Sequence, residues 1–330
     1  MNKILSFGEI LIRKQSVGNH FFKSPDNLLK IYPGGSEANV AVSLAQMGEE
    51  VQYVSAFPEN KLSEEILAFL EDFAVDNSKV IWSGDRIGSY ILLSANGLSS
   101  GEVIYDRKYS SFSLLNPKDL NIDQLLEGVT WFHWSALTPA LNENMAKLMK
   151  TILEEAAHRG IYISVDLNYR SKLWQYGKQP LDIMPELVQY CDLIMGNIWA
   201  SNKMLGSTID EQFNRQTNQS AYFDFAKENA KELFSMFPKA KLIANTFRFI
   251  DHPQHNLFYG TLHTKQEDVI SKTYETQEAV DRIGSGDAFM AGLIYACRQG
   301  MSNQDIIETA TGTGYYKLFV EGDFGNGKYK

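Results

Sequence analysis

The stretch VDRIGSGDAFMAGLIYA, residues 280–296, joins a turn of small residues, Gly284, Ser285 and Gly286, to a segment of strong helical character from Asp287 to Ala296. A glycine-rich turn that runs into a helix leaves several backbone N–H groups unpaired and aimed outward. The helix dipole adds to their attraction for an anion such as phosphate. The carboxylate of Asp287 looks misplaced there, because its charge repels a phosphate. It fits if Asp287 takes a proton from a hydroxyl attacking that phosphate, the general-base role in phosphoryl transfer. On the turn alone, a helix cap at Asp287 is an equally good reading.

Upstream, apolar runs of strand length alternate with amphipathic stretches of helical length. KILSFG (3–8), VQYVSAF (51–57), TWFHWS (130–135), IYISVD (161–166), DLIMGN (192–197) and KLIANTF (241–247) read as strands. Helices are expected over 36–47, 62–73, 142–158 and 221–237, with another ending near 190. Fully apolar strands separated by amphipathic helices indicate an α/β fold with a mainly parallel sheet covered on both faces. Residues 10–32 and 80–113 break this rhythm with short alternating stretches such as SYILLSA and GEVIYDR. They read as antiparallel strands of a small sheet projecting from the main body. The polar STIDEQFNRQTNQS, residues 207–220, reads as a surface excursion.

The 330 residues carry a formal net charge of −9, which argues against a nucleic-acid partner. An acidic enzyme of an anionic substrate must then concentrate a few cations locally. Two cysteines, Cys191 and Cys297, fit a reducing compartment better than a secreted scaffold. The N-terminal MNKILSFGEILIRK is interrupted by Glu9 and reads as a first strand, not a signal peptide. No uncharged apolar run approaches the roughly 18 residues of a membrane span. The expectation is a cytoplasmic protein with no membrane partner.

A second segment, PGGSEANVAVSLAQMG (33–48), places Gly34 and Gly35 before a helix, where the backbone can approach a small ligand, with Glu37 and Asn39 near the same end. In isolation it also reads as a loop capped by Ser36. Taken together, the two segments resemble the N- and C-terminal signatures of the ribokinase-like (PfkB-type) carbohydrate kinases. In the C-terminal signature an Asp precedes a G-A-G-D turn by three residues. The resemblance extends over residues 1–330 and implies one Rossmann-type α/β domain whose small β-sheet forms a lid. Sugar is then expected between lid and sheet, and ATP beside the C-terminal helices. Gly284, Ser285 and Gly286 would form the anion hole, and Asp287 would deprotonate the sugar hydroxyl.

Within the family the chain looks most like 2-keto-3-deoxygluconate kinases. DLNYRSKLW (166–174), VIYDRKYSSF (103–112) and EGDFGN (321–326) resemble their segments, although fructokinases share much of the first. The resemblance implies that Gly34, Gly35, Ser36, Glu37, Ala38 and Asn39, with Tyr90, Tyr105, Arg107, Arg170 and Asp323, touch a sugar acid. Arginine supplies the fork that binds a carboxylate bidentately, so Arg107 and Arg170 are the local cations sought above. Asn168, Thr246, Arg248, Gly284 and Gly286 are expected at ATP. Asn197 is expected at Mg2+ through water, and a monovalent cation is a further candidate. A homodimer through the lid is the expected assembly.

Three departures stand out. The family's N-x-x-E segment reads Asn197-Ile198-Trp199-Ala200, without its glutamate. The usual glycine-containing nucleotide turn is replaced by Thr246-Phe247-Arg248-Phe249, and the G-A-G-D alanine is Ser285. A neutral-sugar kinase, or a sugar-binding regulator without catalysis, is the alternative. GSGDAF is no dinucleotide fingerprint, because Phe289 stands at the third glycine position. GDFGNGK mimics a P-loop with Tyr329 in place of Ser/Thr, and His252 and His255 form an isolated H-x-x-H without flanking ligands.

Overall fold

The computed structural model describes residues 3–17, 22, 28–93 and 102–330. Nine strands form the main sheet. In spatial order they are β4 (Val51–Val54), β1 (Lys3–Phe7), β9 (Val129–Ser135), β10 (Tyr162–Asp166), β11 (Leu193–Met195), β12 (Leu242–Phe249), β13 (Asn256–His263) and β14 (Asp268–Ile270), with β15 (Tyr274–Thr276) also paired to β13. Neighbours from β4 through β12 are parallel, and β13 turns the edge antiparallel. The central strands are apolar on both sides because both sides are covered. In β11, Ile194 enters one core cluster while Leu193 and Met195 enter the other.

The first cluster packs α4 (Glu143–His158) and α5 (Pro180–Val188) on Phe132, Trp134, Ile163 and Val165. The second packs α1 (Ser36–Gln46), α8 (Ser285–Arg298) and α9 (Asn303–Lys317) on the opposite face, with Leu44, Phe289, Leu293 and Ile307 fully buried. Burying four such side chains contributes several kcal/mol, at roughly 1.5–3 kcal/mol each. Local chemistry sets the helix starts. Asn142 and Asn218 accept the amides of Met145 and Ala221 and cap α4 and α7 (Gln219–Met236), the first where the sequence suggests and the second so that α7 starts two residues before the expected 221. The helices α2 (Lys61–Asp72), α3 (Ile122–Leu125) and α6 (Ile198–Leu205) complete the set described.

The separate small sheet has the order β3 (Leu29–Gly34), β2 (Leu11–Ser16), β7 (Gly88–Leu93) and β8 (Glu102–Asp106). Here an expectation is corrected, because β2 and β7 are parallel. The chain leaves the lid after β3, builds α1, β4, β5 (Ala56–Phe57), α2 and β6 (Ile81–Trp82), and returns in the same direction; parallel neighbours need such a crossover. The lid segments were expected over 10–32 and 80–113; of these, residues 18–21, 23–27 and 94–101 lie outside the described residues. Register aligns Tyr32, Arg13, Tyr90 and Tyr105 across the four strands on one face, with Ile31, Lys14, Ile91 and Ile104 on the other. No helix among the described residues is long and apolar enough to cross a membrane.

Candidate active site

The carboxyl ends of β10, β11 and β12 open into one cavity of about 770 Å3, bounded by the lid and the start of α8. Ligands of open α/β sheets gather at such strand ends. Gly284 caps α8 with φ 79°, a left-handed conformation that favours glycine, and a Cβ there would lie 2.0 Å from the Asp323 carbonyl oxygen. Ser285 and Gly286 therefore belong to the first helical turn, which starts two residues earlier than the sequence suggests. Ala288 makes the first intrahelical bond, to Gly284 O. The N–H groups of Gly286 and Asp287 precede it and have no intrahelical acceptor. Gly286 faces open space where a side chain would stand.

Asp287 does not cap its own helix. Ser36 Oγ donates to Oδ1 at 2.8 Å and Asn39 Nδ2 donates to Oδ2 at 2.7 Å, so the carboxylate is held by the first turn of α1. Ser36 is oriented in turn by Asn168 Nδ2 at 3.1 Å, and Asn168 itself sits at φ 26° with its amide bonded to Asp166. Asp287 is half-buried at the cavity floor, and desolvation raises its pKa above the ordinary carboxylate value. Asp166 is pushed up to about 7 by burial, reinforced by the charge of Asp287.

Cations face these acids across the same space. Arg248 on β12 donates to Ser285 Oγ at 2.6 Å, and its Nε is buried without a hydrogen-bond partner. Burial, together with Arg282 and Arg170, lowers its pKa to about 10. Arg170 is exposed at the cavity wall and donates to the neighbouring Tyr169 carbonyl at 3.0 Å. Arg107 is 6% exposed, lines the cavity, and places Nε 2.6 Å from Glu9. Ser110 also donates to Glu9. Tyr90 and Tyr105 line the lid side, and the Tyr90 hydroxyl donates to Asp323 at 3.2 Å. Burial raises Asp323 to about 7.

The pattern of the pfkB family carbohydrate kinases matches residues 1–323. The chain belongs to the pfkB family of carbohydrate kinases. This kinase is 25% identical to the 2-dehydro-3-deoxygalactonokinase of Haloferax volcanii, over 97% of its own chain and 92% of that protein. It is 29% identical to fructokinase-1 of Zea mays over 52% of each chain. The solved 2-dehydro-3-deoxygluconokinase of Thermotoga maritima superposes with a TM-score of 0.87 at 30% identity, covering 98% of this chain and 94% of that one. The molecule is thus a phosphotransferase with the ribokinase-like fold.

Three residues expected at the sugar, Gly34, Glu37 and Ala38, stand outside the lining of the kinase's cavity. Gly34 packs on the Asp323 carboxylate, with no room for a Cβ, and Ala38 is fully buried in the core. Glu37 turns inward, where Oε1 accepts from Ser135 N at 3.0 Å and Ser135 Oγ at 2.5 Å, filling the space Gly8 leaves open. Gly35, Ser36, Asn39, Asn168, Thr246 and Asn197 do line the cavity, although the Asn197 side chain is engaged in capping α6 through Ala200 N at 2.8 Å. Sequence reasoning missed Asp166, Tyr169, Trp199, Ile250 and Arg282. Asp166 had a signal, as the acid that opens the quoted DLNYRSKLW segment. Arg282 also had one, since it stands inside the fold-deciding motif.

Proposed function

We propose that this kinase transfers the γ-phosphoryl group of ATP to a terminal hydroxyl of a sugar acid, 2-keto-3-deoxygluconate, giving the 6-phosphate. The supporting observation is that two arginines, Arg107 and Arg170, line the same cavity as Asp287, so an acidic substrate can meet a cation and a base together. Asp287 takes the hydroxyl proton while Ser36 and Asn39 hold its carboxylate, and burial makes it a stronger base than a surface aspartate. The free N–H groups of Gly286 and Asp287, with Arg248, meet the charge on the transferring group. Asn168 and Thr246 border the phosphates, and the Gly35 loop, Tyr90, Tyr105 and Asp323 border the sugar.

Among the described residues no cluster of three or more His, Cys, Asp or Glu could hold a metal ion. Mg2+ in phosphoryl-transfer sites keeps several waters and needs only one or two carboxylates beside the phosphates. Asp166 fits as that carboxylate, with Asn197 as a ligand to its water. When bound, the ion neutralises phosphate charge.

A neutral sugar is the second reading, favoured by Glu9, which already compensates the charge of Arg107. ADP release measured over sugar acids, hexoses and nucleosides, with and without magnesium, tests the assignment; a preference for fructose overturns it. The outward lid row, with Ile31 62% and Ile104 43% exposed, supports pairing of two copies through their lids. Sedimentation of the wild type against Ile104→Lys checks that assembly.

A further inference from the structure

We propose that Arg13 is a positioning residue that makes the shape of the anion hole depend on the lid, so that sugar and nucleotide phosphate bind cooperatively. The coupling to sugar rests on the sugar-kinase reading above. Arg13 stands in the lid face row between Tyr32 and Tyr90, yet its side chain is fully buried and reaches out of the lid. Its Nη2 donates to Asp281 Oδ2 at 2.8 Å and its Nε lies 3.0 Å from Asp323 Oδ1. Its guanidinium also lies 4.3 Å over the Tyr32 ring.

Each acid passes the contact onward. Asp281 Oδ1 accepts the amide of Ile283 at 2.9 Å, and Oδ2 accepts the amide of Gly322 at 3.2 Å. Ile283 leads directly into Gly284, whose left-handed backbone touches the main-chain oxygen of Asp323. Asp323 is also the acceptor for Tyr90 from the lid. One guanidinium therefore links two lid strands to both sides of the turn that presents the phosphate-binding amides. Such a fork is planar and bidentate, so a shift of β2 cannot leave Asp281 in place. Arg13 touches neither the expected sugar position nor the phosphate amides, so its role is to hold and report, not to react.

The test uses the full-length protein with Arg13→Lys and Asp281→Asn. Without ligand, both variants should exchange the hydrogen-bonded amides of Ile283, Ser285 and Ala288 faster than wild type, while α4, in the other core, is unchanged. Calorimetry then measures Mg2+ and a non-hydrolysable ATP analogue, each with and without 2-keto-3-deoxygluconate or fructose. In wild type, sugar should tighten the analogue about 10-fold, and the analogue should tighten sugar equally. In both variants that ratio should fall toward one, with each separate affinity within a few-fold of wild type. Unchanged amide exchange in both variants overturns the proposal. So does an equal loss of both affinities with the ratio intact, which a merely structural residue would give. Faster exchange in the variants of a protein that binds neither sugar supports the Arg13 link to the turn and defeats the substrate reading instead.

Discussion

The Ser36 hydroxyl lies 2.8 Å from Asp287 and donates to its Oδ1, joining two sequence motifs that stand 251 residues apart. With Asn39 on the other oxygen, this contact fixes the plane of the carboxylate before any substrate arrives. An Asp that merely capped α8 would face its own helix amides, and this one faces α1.

Asp287→Asn keeps the turn and removes the proton acceptor. We expect kcat to fall by about 10²–10⁴. Affinity for ATP should be retained or slightly tightened, because a negative charge beside the phosphates has gone. Steady-state rates with calorimetric ATP binding check this, and turnover within a few-fold of wild type defeats the base assignment.

Replacing Arg107 or Arg170 with methionine separates acidic from neutral substrates. Loss of a charge-assisted bond in a partly buried site costs a few kcal/mol, so kcat/KM for 2-keto-3-deoxygluconate should fall about 10²-fold. Fructose should change much less. The lysine variants should recover only part of the loss, because a point charge does not reproduce the fork. Arg107 should be the more damaging of the two to the fold, since its removal leaves the buried Glu9 without its counter-charge, with Ser110 still donating to it.

Ala200→Glu places a carboxylate in the first turn of α6, where the family pattern has one. It should lower the magnesium concentration that gives half-maximal rate, read from rates over a magnesium titration. Full activity of the wild type in EDTA contradicts a metal requirement.

The stability of Glu37 carries a sign that can be checked. Burial holds its folded pKa at about 7, above the unfolded value of 4.5. A raised carboxyl contributes stability that is present below the unfolded value and is lost as pH climbs through the folded one. Glu37→Gln keeps an acceptor for Ser135 and cannot ionise. Its Tm should therefore gain on the wild type as pH rises from about 4.5 to 7.5, a trend that thermal melts at several pH values would reveal.

Much of this was legible in the sequence. The two motifs place the base and its clasp, and β11 announces double coverage because all three of its residues are apolar. The edge strands β13–β15 and the helix α9 were not read. In α9, Gly312 and Gly314 lower helix propensity, but their missing side chains let other segments close in: a Cβ at Gly312 would lie 2.3 Å from Tyr329 O. Tertiary packing thus favours what local preference discourages. Glu37 shows a related effect: a charged residue in a glycine loop suggests a ligand contact, while here its carboxylate bonds Ser135. Only the empty space above Gly8 explains its inward turn.

The separation of Ser36 from Asp287 also bears on how the protein comes to life in time. Closing a contact across 251 residues requires the intervening sheet to be in order first, and such distant pairings form slowly. During refolding, helical circular dichroism should therefore return well before turnover does. A half-folded chain has its glycine turn on one segment and the clasp for its base on another, not yet brought together. It has no means of spending nucleotide until both ends of the sequence have met.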